Sequence, residues 1–584
     1  MAIEPQISIV IPTKNRRDLL IQTLSALREQ SADLQAYEIV VVSDGSTDGT
    51  AEVVAALAKS PEWSGRTLQC VQQAWGGAAA ARNTGLENAR GKLVLFVDDD
   101  IRAHKDLVSA HLARHAGAAQ PEVVVLGRLV PQAGRGALHR QLALWWEGHY
   151  KRLAEKSPTF SALYTGNVSV PRDAAIRAGG FDPSIDYGED IEFGYQLSLL
   201  GLPFVYAPEA MGRARNPKSS KGLLRDFCRI GQGCVRIYRK LPGALPELPL
   251  SAYGETNLRM RVARGLLLAA AEKRPLEWAI DKGFGAWASS NHGGEKARQM
   301  FELARSYYFW RGVRAEVPDK GEWSRLSSHG VSVLTYHSVE PAGTNPHDRY
   351  TVSSKRFTLQ MALIKLLRYD VRSLQELVDD WRKGHLPPPR SVAITFDDGY
   401  TNNKTDAWSI LRRFGYPATL FFVTGLAGKS SLWDKGIGKG PKSLLTWDEL
   451  VELDRNSFRI EAHSVSHPDL EKIGPESLDF ELNESRRQLE EKLGRKVELF
   501  AYPYGHFNDA AREQAEAAGY KAAFSVRHGL NTLRTDRFAL KRVSVAGDDN
   551  LITFALKVWT GEDPFRYLPK LKLPAVHKKL TRSS

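Results

Sequence analysis

The sequence predicts an α/β protein in two domains, and three observations carry that prediction. Strand-like and helical patterns alternate through about the first two hundred residues, and a second alternating region opens near residue 331. A basic, helix-favouring stretch lies between them. A chain of 584 residues is also too long for one hydrophobic core, so partition is expected on size alone.

In the first region, β-branched runs at 7–11, 38–42 and 92–97 alternate with helical patterns at 17–30, 50–59 and 78–90. Such alternation predicts βαβ units and a mostly parallel sheet. After Pro208 the helix-favouring stretches 223–240 and 258–272, separated by the Pro-rich 241–250, read as a helical connector. Strand-like runs at 331–336, 391–396, 418–423, 459–462 and 499–502 then alternate with helical segments such as 353–367 and 475–493. This suits a distorted or incomplete (β/α) barrel, in which functional side chains sit at the C-terminal ends of strands. The expected bounds are 1–215, a connector at 216–325, a second domain at 326–565 and a basic tail at 566–584.

Composition narrows the class. Hydrophobic residues at 42 % and charged residues at 25 % are ordinary for folded domains. The longest apolar stretch considered, 266–271, is far short of the roughly 20 residues a membrane span needs. The N-terminus lacks the pattern of a signal peptide, so the cytoplasm is the expected compartment. Cys70, Cys228 and Cys234 are scattered and form neither a CxxC pair nor a disulfide framework. A net charge of +13 favours anionic partners such as nucleotide-sugars, phosphate-linked acceptors or the inner face of an anionic membrane. Nucleic acid is not expected, because no zinc-finger spacing, RNP pattern or long Lys/Arg block appears.

Two groups of residues carry chemistry. The run 38–43 is a buried strand pattern ending in Asp44-Gly45-Ser46, where open α/β sheets bind ligands. Asp98-Asp99-Asp100 ends a second strand pattern, a spacing suited to a divalent cation beside a diphosphate. In the second region Asp397-Asp398-Gly399 ends an apolar run, and His463 and His467 follow another strand pattern. One carboxylate with two imidazoles leaves coordination positions open, as a catalytic zinc-type site requires. A non-haem iron centre can use the same ligand set, but the extra acidic neighbour argues against it.

Residues 7–14, Ser43-Asp44-Gly45-Ser46, Asp98-Asp99-Asp100 and Gly188-Glu189-Asp190 together resemble glycosyltransferase family 2, over about the first 210 residues. The resemblance implies a GT-A fold, a Rossmann-like nucleotide-sugar-binding domain. Asp44 would contact the nucleotide base, and Asp98 and Asp100 would hold Mg²⁺ or Mn²⁺ on the diphosphate. Asp190 would be the catalytic base, and Thr165-Gly166-Asn167-Val168-Ser169 would line the acceptor side. Gly212-Arg213-Ala214-Arg215 stands where many members carry a late His, which removes a third metal ligand. For Glu189-Asp190 the plain alternative is a solvated helix N-terminus, where acids suit the dipole.

The second region, about 331–563, resembles the NodB-type polysaccharide deacetylases. By that resemblance Asp398, His463 and His467 bind zinc or a similar divalent transition metal, and Asp397 is the base that activates the attacking water. Tyr504, in Tyr502-Pro503-Tyr504-Gly505, would hold the oxyanion through its backbone N–H. Members with permuted motifs take their acid from an early Tyr-His element, matched by Tyr336-His337, so His337 would protonate the leaving amine; a hydrogen-bonded core histidine is the alternative. Ala501 stands where the family has Arg, and no late Leu-x-His element follows. Arg542 would replace that Arg beside Asp397, unless it is an ordinary surface residue. The combined expectation is a bifunctional glycan-biosynthesis enzyme using a nucleotide-sugar donor and a carbohydrate or lipid-linked glycan acceptor. The alternatives are one catalytic domain with a glycan-binding partner domain, or a non-catalytic scaffold.

Overall fold

The computed structural model describes residues 4–132, 134–215, 218–253, 258–328, 330–341, 348–431, 433, 441–456 and 458–563. The basic tail expected at 566–584 lies outside the described residues. The chain forms two compact units, Met1–Leu250 with Arg259–Pro318, and Ser251–Leu258 with Asp319–Ser584.

The first unit is built on β1 (Ile7–Thr13), β2 (Tyr37–Asp44), β3 (Thr67–Gln73), β4 (Leu93–Val97), β5 (Ile101–Ala103), β6 (Val124–Val130), β7 (Asn167–Pro171) and β8 (Phe204–Ala214). They make one sheet in the order β3-β2-β1-β4-β7-β6-β8-β5. β1 and β2 are apolar along most of their length and almost wholly buried, as strands covered on both faces must be. β1 runs parallel to β2 and β4, whereas β7 is antiparallel to β4. The strand order reverses on passing from β1 to β4, which opens a crevice at the C-terminal ends of these strands.

The helices Ser220–Lys240, Arg274–Ser289 and Gly294–Glu316 belong to this first unit. The stretch expected as a connector therefore folds onto the first domain. The cause is apolar: Leu224, Phe227, Phe284, Phe301 and Tyr307 share one core with Leu138 of the Ala137–Glu155 helix. Two glycines let the long helices touch backbone to backbone. A Cβ on Gly231 would lie 2.1 Å from Phe309 O, and one on Gly312 would lie 1.9 Å from Cys228 O.

The second unit contains β9 (Ser332–Tyr336), β10 (Ser338–Glu340), β11 (Thr351–Ser353), β12 (Asp370–Val371), β13 (Ser391–Phe396), β14 (Ala418–Phe422), β15 (Phe458–Ala462), β16 (Leu499–Ala501), β17 (Ala522–Phe524) and β18 (Val543–Ser544). Its main sheet runs β17-β16-β15-β14-β13-β9-β18 with β12 beside β13, and every pair is parallel. Residues 537–540, which lead towards β18, hydrogen-bond to β17 through Ala523 N to Arg537 O and Leu540 N to Ala523 O. The sheet thus curls into the distorted (β/α) barrel. Strand alternation sorts its side chains, Val333, Ala393 and Phe421 into one cluster and Leu334, Ile394 and Leu420 into another.

Gly312→Val should lower the stability of the first unit by about 1–3 kcal/mol through overpacking. Calorimetry is expected to show an earlier first-unit transition with that of the second unit unmoved.

Candidate active sites

In the first unit the ends of β1, β2 and β4 bring residues 13–16, Asp44 and Asp98-Asp99-Asp100 to one sheet edge. Asp99 points inward, accepting from Thr13 Oγ1 at 2.7 Å and from Arg16 at 2.5 Å. Burial pushes its carboxyl up to about 6, against the pull of Arg16 and Thr13. Arg16 reaches on to Asp100 at 2.6 Å. Asp98 accepts from Arg82 at 3.1 Å and keeps 41 % of its side chain exposed. Asp98 and Asp100, the latter already paired with Arg16, would need further oxygens from a ligand such as a diphosphate to hold a divalent cation.

Asp44 does not stand free at the edge. Its carboxylate accepts from the backbone N–H groups of Gly76 and Gly77 at 2.7 and 2.9 Å and from Gln73 at 2.9 Å. Any contact to a base is additional to this hold on the loop after β3.

Arg82, buried, also donates to Glu189 at 2.8 Å, so one guanidinium ties Asp98 to the helix Glu189–Leu199. Beside Glu189, the Asp190 carboxyl is pushed up to about 7 by its crowded surroundings and by the Glu189 charge, with Arg82 opposing. The Ser220–Lys240 helix packs beneath this turn. A Cβ on Gly233 would lie 1.9 Å from Tyr187 O, Arg229 lies over the Tyr187 ring, and Arg236 and Lys240 pair with Asp186 and Asp182.

Of the stretch expected on the acceptor side, Asn167 and Ser169 turn inward and are buried. They bind His111 at 2.9 and 2.8 Å, and their strand neighbours on the sheet leave them no route outward. Gly166 lies against Asp98, where a Cβ would come within 3.1 Å of Oδ2.

In the second unit Asp398 follows β13 and His463 follows β15, while His467 lies in the loop beyond. Asp398 Oδ1 is 3.6 Å from His463 Nε2 and 3.4 Å from His467 Nε2, and all three residues are buried. Tetrahedral bonds of about 2.1 Å set ligand atoms about 3.4 Å apart, so the three donors fit a zinc-type ion. His463 Nδ1 donates to Ala501 O at 2.7 Å, which leaves its Nε2 lone pair facing Asp398. Among the described residues, four of the seven non-glycine positions with positive φ are Asp398, Ser464, His467 and Tyr504. Such backbone costs about 1–3 kcal/mol at each position, and its concentration around one cluster marks a site that the surrounding fold enforces.

Asp397 receives two hydrogen bonds from Arg542, at 2.6 and 2.9 Å, and both side chains are buried. Arg542 itself is anchored by Ser525 O and lies over the Phe421 ring. Burial would raise the Asp397 carboxyl, but Arg542, with His463 and His337 nearby, holds it below the usual carboxylate range. Arg542 therefore occupies the place beside Asp397 that Ala501 cannot fill. His337, at the end of β9, is half-buried, meets the Tyr350 ring at a tilt with centroids 4.9 Å apart and lies within electrostatic reach of Asp397, His463 and His467. Tyr504 sits at φ 58° with its ring 4.6 Å from that of His467. A second convergent group, Asp469, Glu471 and His506, is more exposed, and Asp469 is already paired with Lys472 and His506.

Sequence reasoning passed over Arg16 and Arg82, and it took the helix under the Asp190 turn, expected at 223–240, as part of a connector. Arginine is common on any surface, and nothing local in the chain distinguishes these from solvated residues.

The chain matches two protein families. It joins a glycosyl transferase family 2 domain, matched over residues 8–177, to a polysaccharide deacetylase domain, matched over 385–523. The first part is 34 % identical over 273 residues to validoxylamine A glucosyltransferase of Streptomyces hygroscopicus subsp. jinggangensis, covering 42 % of this chain. The chain spans 63 % of that relative, less than two thirds of its length. Poly-beta-1,6-N-acetyl-D-glucosamine N-deacetylase of Staphylococcus aureus is 26 % identical over 257 residues, covering 41 % of this chain and 85 % of the relative. Among solved structures, Streptococcus pyogenes deacetylase PplD in complex with acetate aligns over 39 % of this chain and 98 % of its own, at 24 % identity and a TM-score of 0.35. The mannosyltransferase PcManGT of Pyrobaculum calidifontis, in complex with GDP-Man and Mn²⁺, aligns over 54 % and 88 %, at 20 % identity and a TM-score of 0.34. Among the described residues no helix is long and apolar enough to cross a membrane.

Removing one partner of the buried Asp397–Arg542 pair should be costly. Arg542→Met is expected to destabilise the second unit by about 3–5 kcal/mol, and Asp397→Asn in the same chain to restore part of the loss. Denaturant unfolding of wild type, both single variants and the double variant measures the coupling.

Proposed function

We propose that the first unit transfers a sugar from a nucleotide-sugar donor to a carbohydrate or lipid-linked glycan acceptor, and that the second hydrolyses the N-acetyl group of an N-acetylated sugar. The observation that carries the hydrolase is the convergence of Asp398, His463 and His467 beside an Asp397 held ionised by Arg542. For the transferase it is the Asp98–Arg82–Glu189 line, which sets a base candidate of raised proton affinity next to the diphosphate edge. The basic charge and a lipid-linked acceptor suit a cytoplasmic protein peripheral at the inner face of an anionic membrane.

In the transfer, Asp190 accepts the proton of the acceptor hydroxyl as its oxygen bonds to the sugar C1, and the nucleoside diphosphate leaves from the opposite face. Mg²⁺ or Mn²⁺ at Asp98 and Asp100 would neutralise the departing diphosphate. Arg16 keeps Asp100 oriented, and Arg82 limits the mutual repulsion of Asp98, Glu189 and Asp190.

In the hydrolysis, Asp397 takes a proton from the attacking water as oxygen bonds to the acetyl carbon. The Tyr504 backbone N–H faces the oxygen that becomes negative. His337 then gives a proton to the amine as the C–N bond breaks, releasing acetate. Zinc or a similar divalent ion on Asp398, His463 and His467 would supply Lewis acidity to this step. Arg542 keeps Asp397 charged and fixes its direction.

Two outcomes test this. Asp190→Asn should abolish sugar transfer and leave acetate release intact. Because Asp190 accepts a proton only when ionised, wild-type transfer should rise with pH through about 7, and Glu189→Gln, which removes a neighbouring negative charge, should move that limb to lower pH. Rate profiles between acid and neutral pH check both. For the second unit, His463→Ala and His467→Ala should lose bound metal and activity together. Asp397→Asn and His337→Ala should keep the metal and lower acetate release by on the order of a hundredfold or more. Metal content measured beside acetate release for all four variants separates ligands from proton-transfer groups.

A further inference from the structure

His337, the residue assigned as acid in the hydrolase, is the single residue between two strands of different sheets. β9 ends at Tyr336, whose carbonyl still accepts from Asp397 N at 3.0 Å, and β10 begins at Ser338 in the small sheet with β11. At such a junction no ladder fixes the peptide plane, so the direction of the side chain depends on whatever meets the carbonyl. That partner is Asn403, whose Nδ2 donates to His337 O at 2.7 Å.

Three features set this bond apart from an ordinary loop contact. Asn403 is fully buried. Its Oδ1 is buried as well and has no hydrogen-bond partner among the described residues, so the fold keeps an amide oxygen unsatisfied there. An apolar side chain would avoid that cost, and what the amide supplies in return is the bond to His337. Asn403 also opens the short helix Asn403–Trp408, which is wound as a π-helix, a rare geometry that recurs at functional sites.

The preceding residue grips the same segment further on. Asn402 Oδ1 accepts from Val339 N at 3.4 Å, and its Nδ2 donates to Ser338 Oγ at 2.8 Å and to Glu340 Oε1 at 3.0 Å. Both asparagines stand on the chain that leaves β13 through Asp397 and Asp398. One loop thus carries the base, a metal ligand and the hold on the backbone of the acid, which ties their positions to one another.

We propose that Asn403 is a positioning residue of the hydrolase: by holding the His337 carbonyl it aims the imidazole at the nitrogen that leaves. It acts through His337 alone, and the inference rests on the reading of His337 as the acid. Leaving-group chemistry isolates such a role. When the C–N bond of an amide breaks, the electron pair goes to nitrogen, which takes a proton from His337 as it departs. When the C–O bond of para-nitrophenyl acetate breaks, the pair goes to a stable phenolate that leaves unprotonated. A fault in the aim of His337 therefore slows amide hydrolysis and spares the ester, whereas a damaged metal site slows both.

The test uses the metal-loaded full chain with a panel of N-acetylglucosamine oligosaccharides and with para-nitrophenyl acetate. Asn403→Leu, which keeps the volume and removes the donor, should lower kcat for the oligosaccharides by about tenfold to a hundredfold with KM unchanged. Its metal content and its ester hydrolysis should match the wild type. His337→Ala should give the same pattern, and adding Asn403→Leu to it should cost nothing further. Asn403→Ser, which also loses the reach to the carbonyl, repeats the test if leucine does not fold. NMR of the chain with isotope-labelled histidine gives a reading free of catalysis. The His337 ring signal, assigned by its absence in His337→Ala, should move in Asn403→Leu while those of His463 and His467 stay. Amide turnover equal to wild type, or a loss shared by amide, ester and metal content, would overturn the positioning role and leave the hydrolase reading standing. If His337→Ala itself hydrolyses the amides normally, the acid lies elsewhere. A wild type that releases acetate from no amide of the panel sinks the hydrolase reading, and the positioning role falls with either result.

Discussion

Guanidinium groups packed against carboxylates are the interaction on which both units depend. Each site gathers acidic side chains at the end of parallel strands, where burial and mutual repulsion would neutralise them or push the strands apart. Arg16 bridges Asp99 and Asp100, Arg82 bridges Asp98 and Glu189, and Arg542 grips Asp397 with two bonds. A planar fork with a fixed charge can serve two carboxylates or one in two places, which a lysine ammonium cannot do with the same geometry.

The same device has opposite results in the two units. Arg542 faces one carboxylate alone and wins, so Asp397 stays ionised below the ordinary range. At Asp190 burial and the Glu189 charge outweigh Arg82, which is engaged with Asp98 and Glu189, so the carboxyl rises towards neutrality. A buried pair of this kind adds little to stability by itself, yet losing one partner leaves an uncompensated charge, which makes these arginines hard to replace.

The helices from 220 to 316 illustrate a different constraint, the distance at which backbones can meet. Gly231 and Gly312 bring two helices together, and Gly233 lets the first of them reach the carbonyl of Tyr187, directly before the Asp190 turn. A segment beyond the matched family region, which ends at residue 177, thereby supports the site from below.

By itself the sequence determined what depends on neighbours along the chain. Alternating apolar runs and helical patterns announced two α/β units, and acids or histidines directly after a strand pattern, such as Asp98, Asp398 and His463, already marked the sheet edges, because strand direction alone carries them there. Arg542 was also legible, though only through the gap left by Ala501. Tertiary structure alone decided the rest. It turned Asn167 and Ser169 inward to His111, bound Asp44 to the loop after β3, and folded the expected connector onto the first unit. It also brought Arg82 to Asp98 and Glu189 from a separate element. Pairings across tens of residues leave no periodicity and no local motif, because they are chosen by which surfaces can bury each other and which charges can be compensated once the strands are already in place.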